Sequence, residues 1–256
     1  MARYSACIEM LFNDMEPVSR VQAAKECGYE AVEFWHWHRW DLDALKDAGL
    51  PVSLALASSM DEKLRAEFGK VGMYSGSSPA VFKELIQESL EAMKPLKLNV
   101  LCVGPMMTIE GLSAEEHEAN MVECLKAVKS MVDANGIKLA IEPLNTLIDH
   151  AGTFLDTSEK AYRIVRAAGE GFGVLFDIYH QQITEGNLIN NIKAGIDVIH
   201  HFHVADVPGR HEPGTGEINY ANVIKTIDNL GYKGYVGCEF MPTTNAFEAS
   251  KYILNL

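Results

Sequence analysis

Positive charge is scarce in this sequence: 22 lysines and arginines face 35 aspartates and glutamates, leaving a net charge of −13. Such a balance argues against nucleic acid or an anionic membrane as the main partner, because both are gripped by lysine and arginine. Cysteine is sparse too. Cys7, Cys27, Cys102, Cys124 and Cys238 are odd in number, contain no Cys-x-x-Cys pair and sit mostly in apolar runs. That argues against a disulfide framework or a structural zinc site and suits reduced thiols. No window approaches about eighteen uninterrupted apolar residues, the length a membrane helix needs. Met1-Ala-Arg-Tyr-Ser-Ala carries no apolar leader, so a soluble cytoplasmic protein is the expectation. With no Ser/Gly linker, charge block or low-complexity segment, residues 1–256 are expected to form one domain.

Two missing motifs narrow the chemistry. The first apolar run leads into Leu11-Phe-Asn-Asp14 rather than a glycine-rich phosphate turn, which disfavours an open dinucleotide-binding sheet. No Gly-x-Ser-x-Gly elbow marks a nucleophilic serine.

What the chain does have is alternation. Short β-branched or aromatic runs predict strands at Tyr4–Met10, Glu30–Trp35, Val52–Ala57, Asn99–Val103, Lys138–Glu142, Gly173–Asp177, Val198–His203 and Tyr235–Glu239. Amphipathic segments predict helices at Val18–Cys27, Ala80–Met93, Glu115–Ala134, Ser158–Ala168, Tyr220–Leu230 and Ala246–Leu254. Gly28, Gly136, Gly169 and Gly231 stand where helices should stop, and Asp156-Thr-Ser-Glu offers N-caps. Strand–helix units with right-handed crossovers close most naturally into a single (β/α)8 TIM barrel. Ser58–Ser78 is the least regular stretch and is expected to be a long loop overhanging the site.

The last four strands each end in a group that can hold a divalent cation: Glu142, Asp177, His203 and Glu239, spaced 35, 26 and 36 residues apart. Strand C-termini form the catalytic face of such barrels. Three carboxylates and an imidazole meeting there would repel one another and resist desolvation unless a cation shared them. Oxygen-rich ligation with one nitrogen favours Mg2+ or Mn2+. The tract His200-His-Phe-His203 does not imply a second metal: alternation turns His201 and His203 inward and His200 away. Trp35, His36, Trp37, His38 and Trp40 form an aromatic stretch that suits either a sugar pocket or plain packing.

Ile141-Glu-Pro-Leu-Asn145, Phe176-Asp-Ile-Tyr-His180 and above all His203-Val-Ala-Asp-Val-Pro-Gly-Arg-His-Glu-Pro-Gly-Thr-Gly-Glu-Ile-Asn-Tyr220 resemble the hydroxypyruvate isomerase family of the xylose isomerase-like barrels, with Gly28-Tyr-Glu-Ala-Val-Glu-Phe-Trp35 as a weaker anchor. The resemblance covers nearly the whole chain. It implies an isomerase or epimerase moving a proton between adjacent carbons of a hydroxy-carbonyl compound through an enediolate. Glu142 and Glu239 would be both metal ligands and the acid–base pair, with Asp177 and His203 completing the coordination. His180 would touch a substrate oxygen and Arg210 a substrate hydroxyl or carboxylate; the plainer readings are a helix-start histidine and a surface arginine paired with Glu212 or Glu217. Glu33 would contact substrate, orient a catalytic neighbour or simply satisfy backbone groups. Asp206 and Glu217 would position Arg210 or His203. The partner would be a small sugar or hydroxy-oxo acid, and the assembly a homo-oligomer.

The chain departs from that pattern at Asn145-Thr-Leu-Ile-Asp-His-Ala-Gly152, where Leu147 stands in place of an arginine that resembling oxo-acid enzymes carry. This favours a neutral ketose and a 3-epimerase of the tagatose/psicose type as the alternative, with Asp149 and His150 as compensating contacts. Endonuclease-like hydrolysis or dehydration of an inosose uses similar metal chemistry. The acidity of the chain speaks against the first.

Overall fold

Eight parallel strands hydrogen-bond in sequence order, β1 to β8, and the last closes onto the first in the computed structural model, which describes residues 1–73, 78–104 and 106–256. They are β1 (Arg3–Cys7), β2 (Ala31–His36), β3 (Val52–Leu56), β4 (Val100–Val103), β5 (Lys138–Ile141), β6 (Phe172–Asp177), β7 (Ile199–Val204) and β8 (Tyr235–Cys238). The helices are α1 (Pro17–Cys27), α2 (Leu42–Asp47), α3 (Glu62–Val71), α4 (Ser78–Met93), α5 (Ala114–Asn135), α6 (Ser158–Ala168), α7 (Ile178–Thr184), α8 (Leu188–Gly195), α9 (Tyr220–Asn229) and α10 (Ala246–Leu254). This is the predicted (β/α)8 barrel. Among the described residues no helix is long and apolar enough to cross a membrane.

The strands carry near-continuous apolar runs because both of their faces are covered. One face joins the helices in the main core, with Phe34, Phe176, Phe202 and Val236 among its fully buried members. On the other face Leu54, Val100, Cys102, Ala140 and Leu175 form a separate buried cluster inside the barrel. That apolar filling belongs to β3–β6. The β1, β2 and β7 side is polar instead, holding Ser5, Glu33, His201 and His203, all buried.

The helix ends follow the sequence signals. Thr157 accepts from the Lys160 N–H to cap α6, while Gly28 (φ 106°) and Gly136 (φ 63°) end α1 and α5 in the left-handed region. Two expectations change. Strand β1 ends at Cys7, and Ile8–Met10 turn, so the first strand is shorter than predicted. The stretch Ser58–Ser78 is not one long loop: it contains α3, capped by Asp61, and ends on the first residue of α4. Flanking serines and glycines masked a helix half of whose residues are charged. Residues 74–77 of that stretch, and Pro105 in the Pro105-Met-Met run, lie outside the described residues.

Candidate active site

Glu142 and Glu239 are the first residues beyond β5 and β8, Asp177 closes β6, and His203 lies near the end of β7, so the four predicted ligands meet at one mouth. The ligand atoms of Asp177, His203 and Glu239 all lie within 4.8 Å of one another, as do those of Glu142, Asp177 and His180. His203 Nδ1 is 3.2 Å from Glu239 Oε2 and 4.0 Å from Glu142 Oε1. Above them opens a cavity of about 540 Å3 lined by Glu142, His180, His203, Arg210 and Glu239 among others.

Neighbouring charges split these buried acids apart. Burial, then the charge of Glu239, raises Glu142 well above the usual carboxylate range. Burial alone would raise Glu239 as well, but His203 and Arg210 outweigh it and hold that carboxyl well below the range. Burial also raises Asp177 against the pull of Arg210. His203 is depressed by burial but raised more by Glu239 and Glu33, which keeps its proton affinity well above that of a free imidazole. Arg210 donates from Nη2 to Glu239 Oε2 and stands 3.5 Å from Asp177 Oδ2. It is therefore an inward residue with acidic partners other than Glu212 and Glu217.

The donor set suits a hard divalent ion: three carboxylates and one imidazole, with no thiolate among them. Both ring nitrogens of His203 are buried without an aligned hydrogen-bond partner. Nδ1 faces the carboxylates, 3.2 Å from Glu239 Oε2.

The family model of the xylose isomerase-like TIM barrel matches residues 21–256. This chain belongs to that family. It is 33% identical to a hydroxypyruvate isomerase of Escherichia coli, over 95% of each chain. It is 32% identical to a 2-oxo-tetronate isomerase of Cupriavidus necator, over 94% of each. Among solved structures, one described as an AP endonuclease, family 2, from Brucella melitensis superposes with a TM-score of 0.87 at 26% identity, covering 100% of this chain and 99% of the other.

On this xylose isomerase-like barrel the remaining predicted residues take distinct places. His180 is buried on α7 just after Asp177, whose carboxylate caps the helix by accepting from the Tyr179 and His180 N–H groups. The backbone N–H of Asn145 (3.4 Å) and its side-chain amide (2.6 Å) both point at His180 Nδ1. Nδ1 is therefore the acceptor and Nε2 carries the proton, 3.5 Å from Asp177 Oδ2. Burial and Arg210 bring His180 down to about 3, so it works as a neutral donor. Glu33 is absent from the cavity lining; it lies beneath the mouth, 2.9 Å from His201 Nε2 and 3.0 Å from His203 Nε2. Among the described residues the Asp206 carboxylate forms no hydrogen bond or ion pair with Arg210's side chain or with His203. Its carboxylate accepts from the N–H groups of Val207, Gly214 and Ile218 and so shapes the loop that carries Arg210. Glu217 accepts from Gln182.

The aromatic stretch divides between the two readings. Trp35 lines the cavity and donates from Nε1 to Glu239 Oε1 at 2.6 Å, whereas Trp37 is buried against Ser89. Glu9 accepts from the backbone of Trp35 and His36 and from Trp40 Nε1, fixing the whole segment. Its role was hidden because residues 8–10 appeared to be strand. His150 lines the cavity, while Leu147 is 75% exposed and points to solvent. From α3, Arg65 and Lys70 also reach the cavity wall. No spacing in the sequence flagged either of them.

Proposed function

We propose that this chain is a metal-assisted isomerase interconverting small hydroxy-carbonyl compounds, hydroxypyruvate-like oxo acids first among them, by proton transfer through an enediolate. The observation that carries the reading is the meeting of Glu142, Asp177, His203 and Glu239 at one mouth of the barrel, with the carboxylates of Glu142 and Glu239 both on the cavity lining. Two carboxylates on one lining can serve a bound substrate as base and acid. Glu239, kept ionised by Arg210 and His203 and aimed by Trp35, takes the proton from the reacting carbon. Glu142 serves the other side. A divalent ion held by Glu142, Asp177, His203 and Glu239 would supply Lewis-acid stabilisation of the developing oxyanion. His180 offers its Nε2–H to a substrate oxygen, and the buried Arg210 Nε, which lacks a protein partner, offers another donor.

The names of the two curated relatives support an isomerase of oxo acids. A neutral ketose 3-epimerase is the alternative that Leu147 favours. Against it stand Arg65 and Lys70, which line the cavity and form no ion pair with a carboxylate among the described residues. Arg210's charge is balanced by Glu239 even though its Nε is free to donate, so these two side chains carry the unbalanced positive charge on the lining for an anionic substrate end. Hydrolysis of DNA would need a basic groove that a net charge of −13 does not provide.

The test is deuterium uptake from D2O with Mn2+ present, using hydroxypyruvate and a panel of ketoses. Label appearing with conversion of hydroxypyruvate to tartronate semialdehyde supports isomerisation; label confined to C3 of a ketose overturns it in favour of epimerisation. No label in any compound removes proton transfer altogether. In the same assay Arg65→Gln and Lys70→Gln should each raise KM for hydroxypyruvate about 10- to 100-fold, as expected for a charge-assisted hydrogen bond of roughly 1.5–3 kcal/mol. Their kcat should stay near the parent value. An unchanged KM in both would take the anionic end away from α3.

A further inference from the structure

The polar half of the barrel interior contains a buried acid that the proton-transfer scheme does not use. Glu33 sits on β2, 1% exposed, with no route to the cavity wall. Its Oε2 is held by Ser53 Oγ (3.1 Å) and His201 Nε2 (2.9 Å), and Ser53 in turn is bridged to Ser5 at 2.6 Å. Its Oε1 lies 3.0 Å from His203 Nε2, an ion-pair contact outside hydrogen-bond alignment, and accepts no hydrogen bond from any described residue. The barrel leaves space for that carboxylate on purpose-shaped backbone: a Cβ on Gly237, two residues before Glu239, would overlap Glu33 Oε1.

An imidazole has two nitrogens, and only the one that faces the mouth can serve an ion. A carboxylate anchored on the opposite nitrogen fixes the ring's rotation, keeps the proton on that side and makes the free nitrogen a stronger donor. We infer that Glu33 is the positioning residue for His203, holding Nε2 from inside the barrel so that Nδ1 is presented to the site shared with Asp177 and Glu239. Ser53 and Ser5 brace the carboxylate against rotation, and Gly237 keeps its place open. His201, on the same inward face of β7, supplies a second anchor rather than a ligand: its Nε2 is spent on Glu33, and it does not line the cavity. The inference rests on the ion-site reading above.

The experiment is titration of Mn2+ into chelator-treated protein, followed by calorimetry or by the free-Mn2+ paramagnetic resonance signal, with no substrate present. Glu33→Gln keeps the side chain's shape and removes its charge. It should weaken Mn2+ binding about 10- to 100-fold, the range seen when a partner of a ligating histidine is lost. Excess Mn2+ should restore kcat in that variant, which damage to the barrel would not allow. Ser53→Ala, a milder change, keeps the test open if Glu33→Gln does not fold, and should weaken binding several-fold in the same direction. A parent that binds Mn2+ with variants that bind it equally well overturns the inference and leaves the proposed function standing. A parent that binds no Mn2+ overturns both.

Discussion

Glutamine in place of Glu239 or of Glu142 is expected to lower deuterium uptake into hydroxypyruvate by about 10²- to 10⁴-fold, the contribution of a positioned general acid or base. The two variants should nonetheless differ. Glu239 is where Trp35 Nε1, Arg210 Nη2 and His203 converge, so its loss of charge also leaves a buried guanidinium and a buried imidazole poorly compensated. Glu239→Gln should therefore lose thermal stability and ion affinity together with turnover. Glu142 has no such retinue: its nearest charged partner is His203, at 4.0 Å. Burial and Glu239's charge already favour its protonated form, which glutamine imitates. Glu142→Gln should hold the melting temperature of the ion-free protein, losing turnover and, as a lost ligand, ion affinity. Exchange assays and thermal melts on the same preparations check both halves. Parent-like uptake in either variant would remove that carboxylate from proton transfer.

This asymmetry was not legible in the sequence, although the residues were. Glu142, Asp177, His203 and Glu239 could be read as a group because parallel strands buried on both faces leave little room for charge except at their ends. The strand-to-helix alternation carried the fold for the same reason. What sequence could not show was how an arginine some thirty residues from each partner along the chain would settle between two of the acids. Nor could it show that an inward glutamate on β2 would grip β7 from below. Both depend on side-chain register across a closed barrel, which no local pattern encodes. The errors had local causes. In α3 an amphipathic helix of ten residues lies between serine- and glycine-rich flanks, so turn signals outvoted its periodicity. α7 and α8 were missed because each spans fewer than three turns. Asn145 drew no attention as an ordinary loop residue, yet its amide decides which nitrogen of His180 carries the proton.

Stripping divalent ions with a chelator is expected to drop exchange to background, and returning Mn2+ or Mg2+ to restore it. The charge arrangement adds a pH signature. Without an ion, Glu142 and His203 both have raised proton affinities, one from burial and Glu239, the other from Glu239 and Glu33 acting against burial. A cation using Glu142 oxygen and His203 Nδ1 must displace the protons these groups hold. Binding should therefore release protons and tighten as pH rises, by about tenfold per pH unit for each proton displaced, until the pH exceeds the raised values. Glu239 opposes this trend little, because it is ionised already. Calorimetric Mn2+ titrations between about pH 6 and about pH 8, in two buffers of different ionisation enthalpy, read affinity and proton release together. Affinity that is flat with pH, with heats independent of the buffer, would mean that the ion sits elsewhere than between Glu142 and His203. Exchange that persists in chelated, demonstrably ion-free protein would place the oxyanion's stabilisation on Arg210 and His180 alone.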